Sequence, residues 1–189
     1  LRVLPRDGPP VQVIVVAPPG QRPAFERALV SDARLSFVTL DAAEAARKAE
    51  GASGIPASFM VAQAAHETGW GRKHIRMADG SNSFNLFGIK AGGGWKGPTT
   101  QVVTTEFVDG RAQKTSQNFR AYSSYDESFA DYARLMKTSP RYREVVAKAA
   151  DATHFAQGLQ RAGYATDPAY ADKLGRVINT TLRLQRSLA

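Results

Sequence analysis

The sequence predicts a mostly helical α+β domain with one small β-hairpin lobe. Three observations carry that prediction. An apolar, Ala-rich helical run ends at Glu67-Thr68-Gly69, two alternating segments flank Asp109-Gly110, and the last third is built of amphipathic stripes. Helices set beside a short hairpin leave a cleft, and the cleft is where function is expected. The chain shows no internal repeat, and its 189 residues suffice for one domain with a substantial core plus an extension.

Residues 1–36 are read as a Pro-rich N-terminal extension or linker and residues 37–189 as the folded domain. Six prolines punctuate the extension and disfavour regular structure there, although Val11–Val16 suits a short strand. The apolar stretch from Val11 to Ala17 is stopped by Pro18 and Pro19 and has no charged lead or cleavage site, so it is not read as a signal peptide. Because the chain begins at Leu1, it is expected to be a fragment or a processed product. Asp41 can cap a helix over Ala42–Glu50 that ends near Gly51. Pro56 suits the first position of the next helix, in which Met60, Val61, Ala64 and Ala65 are apolar over most of the surface, and Gly69 supplies its left-handed stop.

A Gly- and Asn-rich stretch follows from Asp79 to Gly97. Next, Gln101–Phe107 and Ala112–Phe119 flank Asp109-Gly110, a strong two-residue hairpin signal. Alternation puts Val102, Thr104, Glu106 and Val108 on one strand face and Val103, Thr105 and Phe107 on the other. Ser124 with Glu127 reads as a capping box, and Phe129, Tyr132, Ala133 and Met136 form the stripe of the helix behind it. Ser139-Pro140 and Asp167-Pro168 each read as a cap plus a first helical position. The final helix is expected to bury Leu174, Val177, Ile178, Thr181 and Leu182.

Glu67 is the most informative residue. Burial and the negative end of the helix dipole both disfavour its ionised form there, so its pKa should rise. A carboxylic acid that keeps its proton near neutral pH can protonate the leaving oxygen of a glycosidic bond. The competing reading is a helix-terminal glutamate turned to solvent. His66 lies about 100° round the helix from Glu67 and is not expected to share its face.

The stretch Ala62-Gln63-Ala64-Ala65-His66-Glu67-Thr68-Gly69-Trp70-Gly71 resembles the catalytic helix of the FlgJ-type flagellar muramidases, in the family 73 glycoside hydrolases. The resemblance continues through Asn85-Leu86-Phe87-Gly88-Ile89-Lys90, Trp95-Lys96-Gly97, Thr104-Thr105-Glu106-Phe107, Phe119-Arg120-Ala121-Tyr122 and Ala162-Gly163-Tyr164-Ala165-Thr166-Asp167-Pro168. These blocks arrive in the family's order and cover about residues 37–186. His66 departs from the pattern, since many relatives carry Leu. The resemblance implies a lysozyme-like domain whose cleft takes the glycan strands of the bacterial cell wall. It implies Glu67 as general acid, Glu106 as a second carboxylate and Tyr164 as an active-site tyrosine.

On the residues alone, Glu106 is equally a polar cross-strand partner of Gln113 or Lys114, and Tyr164 a packed tyrosine with its hydroxyl satisfied. Trp70, Trp95, Tyr122 and Tyr170 are candidate sugar-stacking or sugar-binding residues, with Asn85 and Phe87 shaping the loop beneath. The implied activity is endo-β-N-acetylglucosaminidase, cutting the β-1,4 bond from GlcNAc to MurNAc in the periplasm so that a flagellar rod can pass, with rod proteins as further partners. A lytic transglycosylase or muramidase on the same scaffold, and a non-catalytic wall-binding module, are the alternatives.

Composition narrows the other classes. A net charge of +8 points to anionic partners, and the acidic wall is one. The 25 Lys and Arg residues are scattered, with no zinc-finger or RNA-binding signature, so nucleic acid is not expected. No run approaches the roughly 18 apolar residues that span a membrane. His66-Glu67 begins like an H-E-x-x-H zinc helix, but Trp70 stands where the second histidine belongs, and the chain has no cysteine. Neither a metal nor a cofactor is expected.

Overall fold

The computed structural model describes residues 40–92, 94–108 and 111–188. The expected extension over 1–36, with Val11–Val16, lies outside them. The elements are α1 (Leu40–Ser53), α2 (Ala57–Glu67), β1 (Thr99–Val108), β2 (Arg111–Arg120), α3 (Tyr125–Thr138), a 3-10 turn (Pro140–Tyr142), α4 (Arg143–Ala147), α5 (Ala152–Arg161) and α6 (Tyr170–Leu188). Helix α2 is the centre, because seven successive residues from Phe59 to Ala65 are buried and none of its faces is left to water. Helices α1 and α6 pack on it. Pro56 caps the helix from one position outside it and offers no side-chain bond. Burying Phe59, Met60 and Val61, each worth about 1.5–3 kcal/mol, more than offsets a missing cap.

Helix α1 is longer than its sequence suggests and runs through Gly51 to Ser53. Tertiary contacts explain the difference. Ala42, Ala45, Ala46 and Ala49 are buried in the core, α1 packs along α3, and Lys137 Nζ donates to the Ala52 carbonyl across that seam. The stop falls instead at Gly54, with φ +78°. Helix α3 begins as expected: the Glu127 amide donates to Ser124 Oγ at 3.2 Å. The reciprocal bond reaches one residue further back, from the Ser123 amide to Glu127 Oε2 at 2.7 Å. Phe129, Tyr132, Ala133 and Met136 are all buried, and Leu174, Ile178 and Thr181 bury the corresponding face of α6.

The antiparallel hairpin pairs Val108 with Arg111, so a two-residue connection joins its strands as expected; Asp109 and Gly110 themselves lie outside the described residues. Thr100 is buried and Val102 and Thr104 are half-buried, whereas Val103 on the other face is 66% exposed. Asn85 ties the end of the hairpin to the loop before it. Its Nδ2 donates to the Ile89 and Arg120 carbonyls at 2.9 and 2.8 Å, and its Oδ1 accepts from the Ile89 amide at 3.0 Å.

A second tie is Asp131 on α3. Its carboxylate accepts from Arg120 at 2.7 Å, from the Tyr122 hydroxyl at 2.8 Å, and from Arg134. Burial pushes the Asp131 carboxyl up, but the Tyr122, Arg120 and Arg134 donors together outweigh it and hold the pKa below the ordinary 3.8. A depressed carboxyl stabilises the fold above its unfolded pKa, and that contribution fades as pH falls through the folded value. Asp131→Ala, which strands Arg120, is expected to cost about 3 kcal/mol in urea unfolding at pH 7. The difference from wild type should shrink below about pH 4, as the linkage requires.

Candidate active site

The C-terminal turn of α2, the 88–92 loop, the hairpin and the α5–α6 loop enclose a cleft of about 750 Å³. Glu67 lies in its wall because α2 ends there. Gly69 and Trp70, at φ +55° and +63°, turn the chain away within one step of the last helical residue. Thr68 fixes that turn, donating to the Ala64 carbonyl at 2.7 Å and accepting from the Gly71 amide at 2.9 Å. A tryptophan in the left-handed region is strained, and half-burial of its ring against the core offsets the strain.

Glu67 Oε1 accepts a hydrogen bond from the Tyr170 hydroxyl at 2.8 Å. Oε2 has no hydrogen-bond partner among the described residues and lies beside Gly88, where an added Cβ would stand 3.8 Å from it. Burial raises the Glu67 pKa from 4.5 to about 7, against the opposing Tyr170 hydrogen bond. The group therefore keeps its proton up to about pH 7, with one oxygen engaged and the other beside the cleft. Gly88, at φ +61°, keeps that oxygen uncovered.

Tyr164 and Tyr170 line the same cleft, their rings stacked 6.0 Å apart. The Tyr164 hydroxyl donates its proton to the Phe87 carbonyl at 2.7 Å, so only its lone pairs remain to offer a bound molecule. His66 also lines the cleft, its ring edge-on to Tyr170 at 5.4 Å, contrary to the expectation from helix geometry. The wall is the open end of α2, where neighbouring positions face one cavity. Burial, and then the charge of Lys173, lower the His66 pKa, which Asp167 partly opposes.

The other sequence candidates stand elsewhere. Phe87 is fully buried, stacked on Tyr132 at 4.1 Å, and has no surface to give a sugar. Asn85 is 4% exposed and its amide is consumed in the loop described above. Tyr122 is buried with its hydroxyl committed to Asp131. Trp95 donates to the Pro98 carbonyl at 2.9 Å and carries the Arg120 guanidinium 4.7 Å above its ring, while Trp70 packs on the core; neither lines the cleft. Glu106 pairs in register with Gln113, one two-residue step beyond the Thr104–Thr115 pair, and its side chain lies outside the described residues.

Sequence reading missed Gln63, which is fully buried between Tyr132 and Tyr170. A lone amide in an apolar run, four residues before Glu67 and hence on its face, was the available signal. It also missed Arg141, which donates to the Ala162 and Gly163 carbonyls and so holds the chain into Tyr164.

Residues 43–183 match the glucosaminidase family, described as mannosyl-glycoprotein endo-beta-N-acetylglucosaminidase. Peptidoglycan hydrolase FlgJ of Escherichia coli (strain K12) is 52% identical over 126 residues, 67% of this chain and 40% of the relative. The FlgJ of Pseudomonas aeruginosa is 48% identical over 132 residues, 70% of this chain and 33% of its own length. The chain thus spans well under half of these relatives. A crystal structure of a peptidoglycan hydrolase mutant from Sphingomonas sp. A1 superposes with a TM-score of 0.73 at 48% identity, covering 78% of this chain and 96% of that one. The glycoside hydrolase domain of Salmonella typhimurium FlgJ gives 0.63 at 42% identity, over 78% and 88% of the two chains. With the match running from within α1 into α6, and solved relatives that superpose over 78% of the chain, this chain belongs to the glucosaminidase family of glycoside hydrolases.

Proposed function

We propose that the protein hydrolyses peptidoglycan as an endo-β-N-acetylglucosaminidase, cutting the β-1,4 bond from GlcNAc to the next MurNAc. The observation that carries this reading is Glu67, a carboxyl kept protonated to about pH 7 in the wall of a cleft. In the reaction, Oε2 gives its proton to the glycosidic oxygen as the bond from that oxygen to the anomeric carbon breaks. The Glu67 carboxylate left behind keeps the Tyr170 hydrogen bond. Tyr164, with its proton committed to Phe87, turns lone pairs toward the cationic anomeric carbon. Glu106 takes a proton from the water that adds there, a role supported by a register that continues the row of Val102 and Thr104. The net charge of +8 suits an acidic wall polymer.

Relatives named as peptidoglycan hydrolases support the substrate. The FlgJ resemblance supports the setting: work in the periplasm, opening the wall for a flagellar rod, with rod proteins as neighbours. Glu67→Gln is expected to slow clearing of purified peptidoglycan by about 10²–10⁴-fold. Wild-type digests should carry GlcNAc reducing ends. 1,6-Anhydro-MurNAc ends would make the protein a transglycosylase, and folded, wall-bound protein that clears nothing would make it a binding module.

Two pH dependences follow from the raised carboxyl. The rate of clearing should fall on the basic side with an apparent pKa near 7, as Glu67 loses its proton. Between 4.5 and about 7 the native state holds a proton that the unfolded chain has released, so stability declines as pH rises through that window. Glu67→Gln removes the decline. Urea unfolding at pH 5 and pH 8 should show the variant gaining on wild type by about 2–3 kcal/mol at the higher pH.

A further inference from the structure

The mechanism above needs the Glu67 proton on one particular oxygen. Behind Glu67 lies a row of buried polar groups: Tyr132 Oη stands 2.6 Å from Gln63 Oε1, Gln63 Nε2 stands 3.2 Å from Tyr170 Oη, and Tyr170 Oη stands 2.8 Å from Glu67 Oε1. Tyr132 and Gln63 have no exposed surface. We propose that Tyr132 and Gln63 are positioning residues that fix the catalytic proton on Glu67 Oε2, through a one-way chain of hydrogen bonds ending on Oε1. The inference rests on Glu67 being the general acid.

Each proton along this row has one place to go. A hydroxyl has one proton to give, and an amide group gives from nitrogen and accepts at oxygen. Gln63 Oε1 is the hydroxyl's one partner among the described residues, so Tyr132 must donate there or leave its proton unpaired in the core. That orients the amide, and Gln63 Nε2 then donates to Tyr170. Tyr170 already accepts from Gln63, so its own proton goes to Glu67 Oε1. An oxygen that accepts from Tyr170 is a poor seat for the acid's proton, which therefore occupies Oε2 beside Gly88.

Reversing the amide reverses every link. Gln63 Oε1 would then take the Tyr170 proton, and Glu67 would have to donate from Oε1 into the protein, turning its proton away from substrate. Tyr132 never reaches the cleft, yet it decides between the two arrangements.

The first test reads the amide in the unmodified protein. In labelled wild type, the Gln63 side-chain amide protons should show nuclear Overhauser contacts to the Tyr170 ring; contacts to Tyr132 instead would overturn the proposal. This readout does not depend on activity, so it stands even if the protein clears no peptidoglycan. The second test is Tyr132→Phe, which frees the amide to reverse. At saturating wall, clearing should slow by about tenfold or more, wall binding should hold, and the basic limb of the pH profile should move upward.

Gln63→Met removes the competing acceptor, so the double variant should recover toward the level of Gln63→Met alone. A purely structural role predicts the opposite: losses that add and a limb that stays where it is in wild type. That result would overturn the proposal. Should Tyr132→Phe fail to fold, the contacts of the Gln63 amide in wild type still decide.

Discussion

The hydrogen bond from Tyr170 to Glu67 is the contact on which the arrangement of the site depends. It joins the first residue of α6 to the last residue of α2. Each end is prepared by its own local structure. Helix α2 must stop at once after Glu67, which the left-handed pair Gly69 and Trp70 achieves, and α6 must start at Tyr170, which Asp167 prepares by accepting from the Ala169 amide at 2.9 Å. Asp167 is itself held by Lys173 at 2.5 Å. The Glu67 carboxyl is thus placed by helix termini, where a helix can present a side chain to a cavity without opening its own core.

The opposite wall is fixed by polar contacts added to the burial of Ile89 and Phe119. Asn85 binds the 88–92 loop to the end of β2, and Asp131 binds Arg120 to α3. The Arg120 guanidinium also covers Trp95. A two-stranded hairpin alone is marginal in water, so its position over the cleft comes from these ties at its base. Its far end, toward residues 109–110, carries no such tie among the described residues. The cleft therefore has one wall built from helix ends and one built from a hairpin held at its root.

Local patterns made most of the fold legible. The Phe129–Met136 stripe, the Ser124 cap and the alternation about residues 109–110 each involve neighbours within a few positions, and periodicity reports such neighbours directly. The length of α1 was not legible, because Gly51 marks a stop only until Lys137 and the α3 seam are present. Glu67 was readable at the site because its setting is a local one, the end of a buried helix. The assignments of Trp95 and Tyr122 to sugar contact rested on residue type. Their burial comes from segments remote in sequence. Gln63 was visible only as an oddity, since its two partners lie 69 and 107 positions away.

The seam between α1 and α3 limits how this sequence can drift. Ala42, Ala45, Ala46 and Ala49 are between 0% and 3% exposed, and each presents a single methyl group to its surroundings. Helices that meet through methyl groups sit at the short end of the usual 8–10 Å spacing. A larger residue at one of these positions presses on the packed core unless it can turn into the groove of about 400 Å³ that Ala45 and Ala49 line with Ala133 and Lys137. Elsewhere in the core a lost methylene leaves a void and a gained one can be absorbed by a neighbour's rotamer. At Ala42 and Ala46, which do not line that groove, growth in side-chain size has no such outlet, and substitution there is confined to the smallest residues.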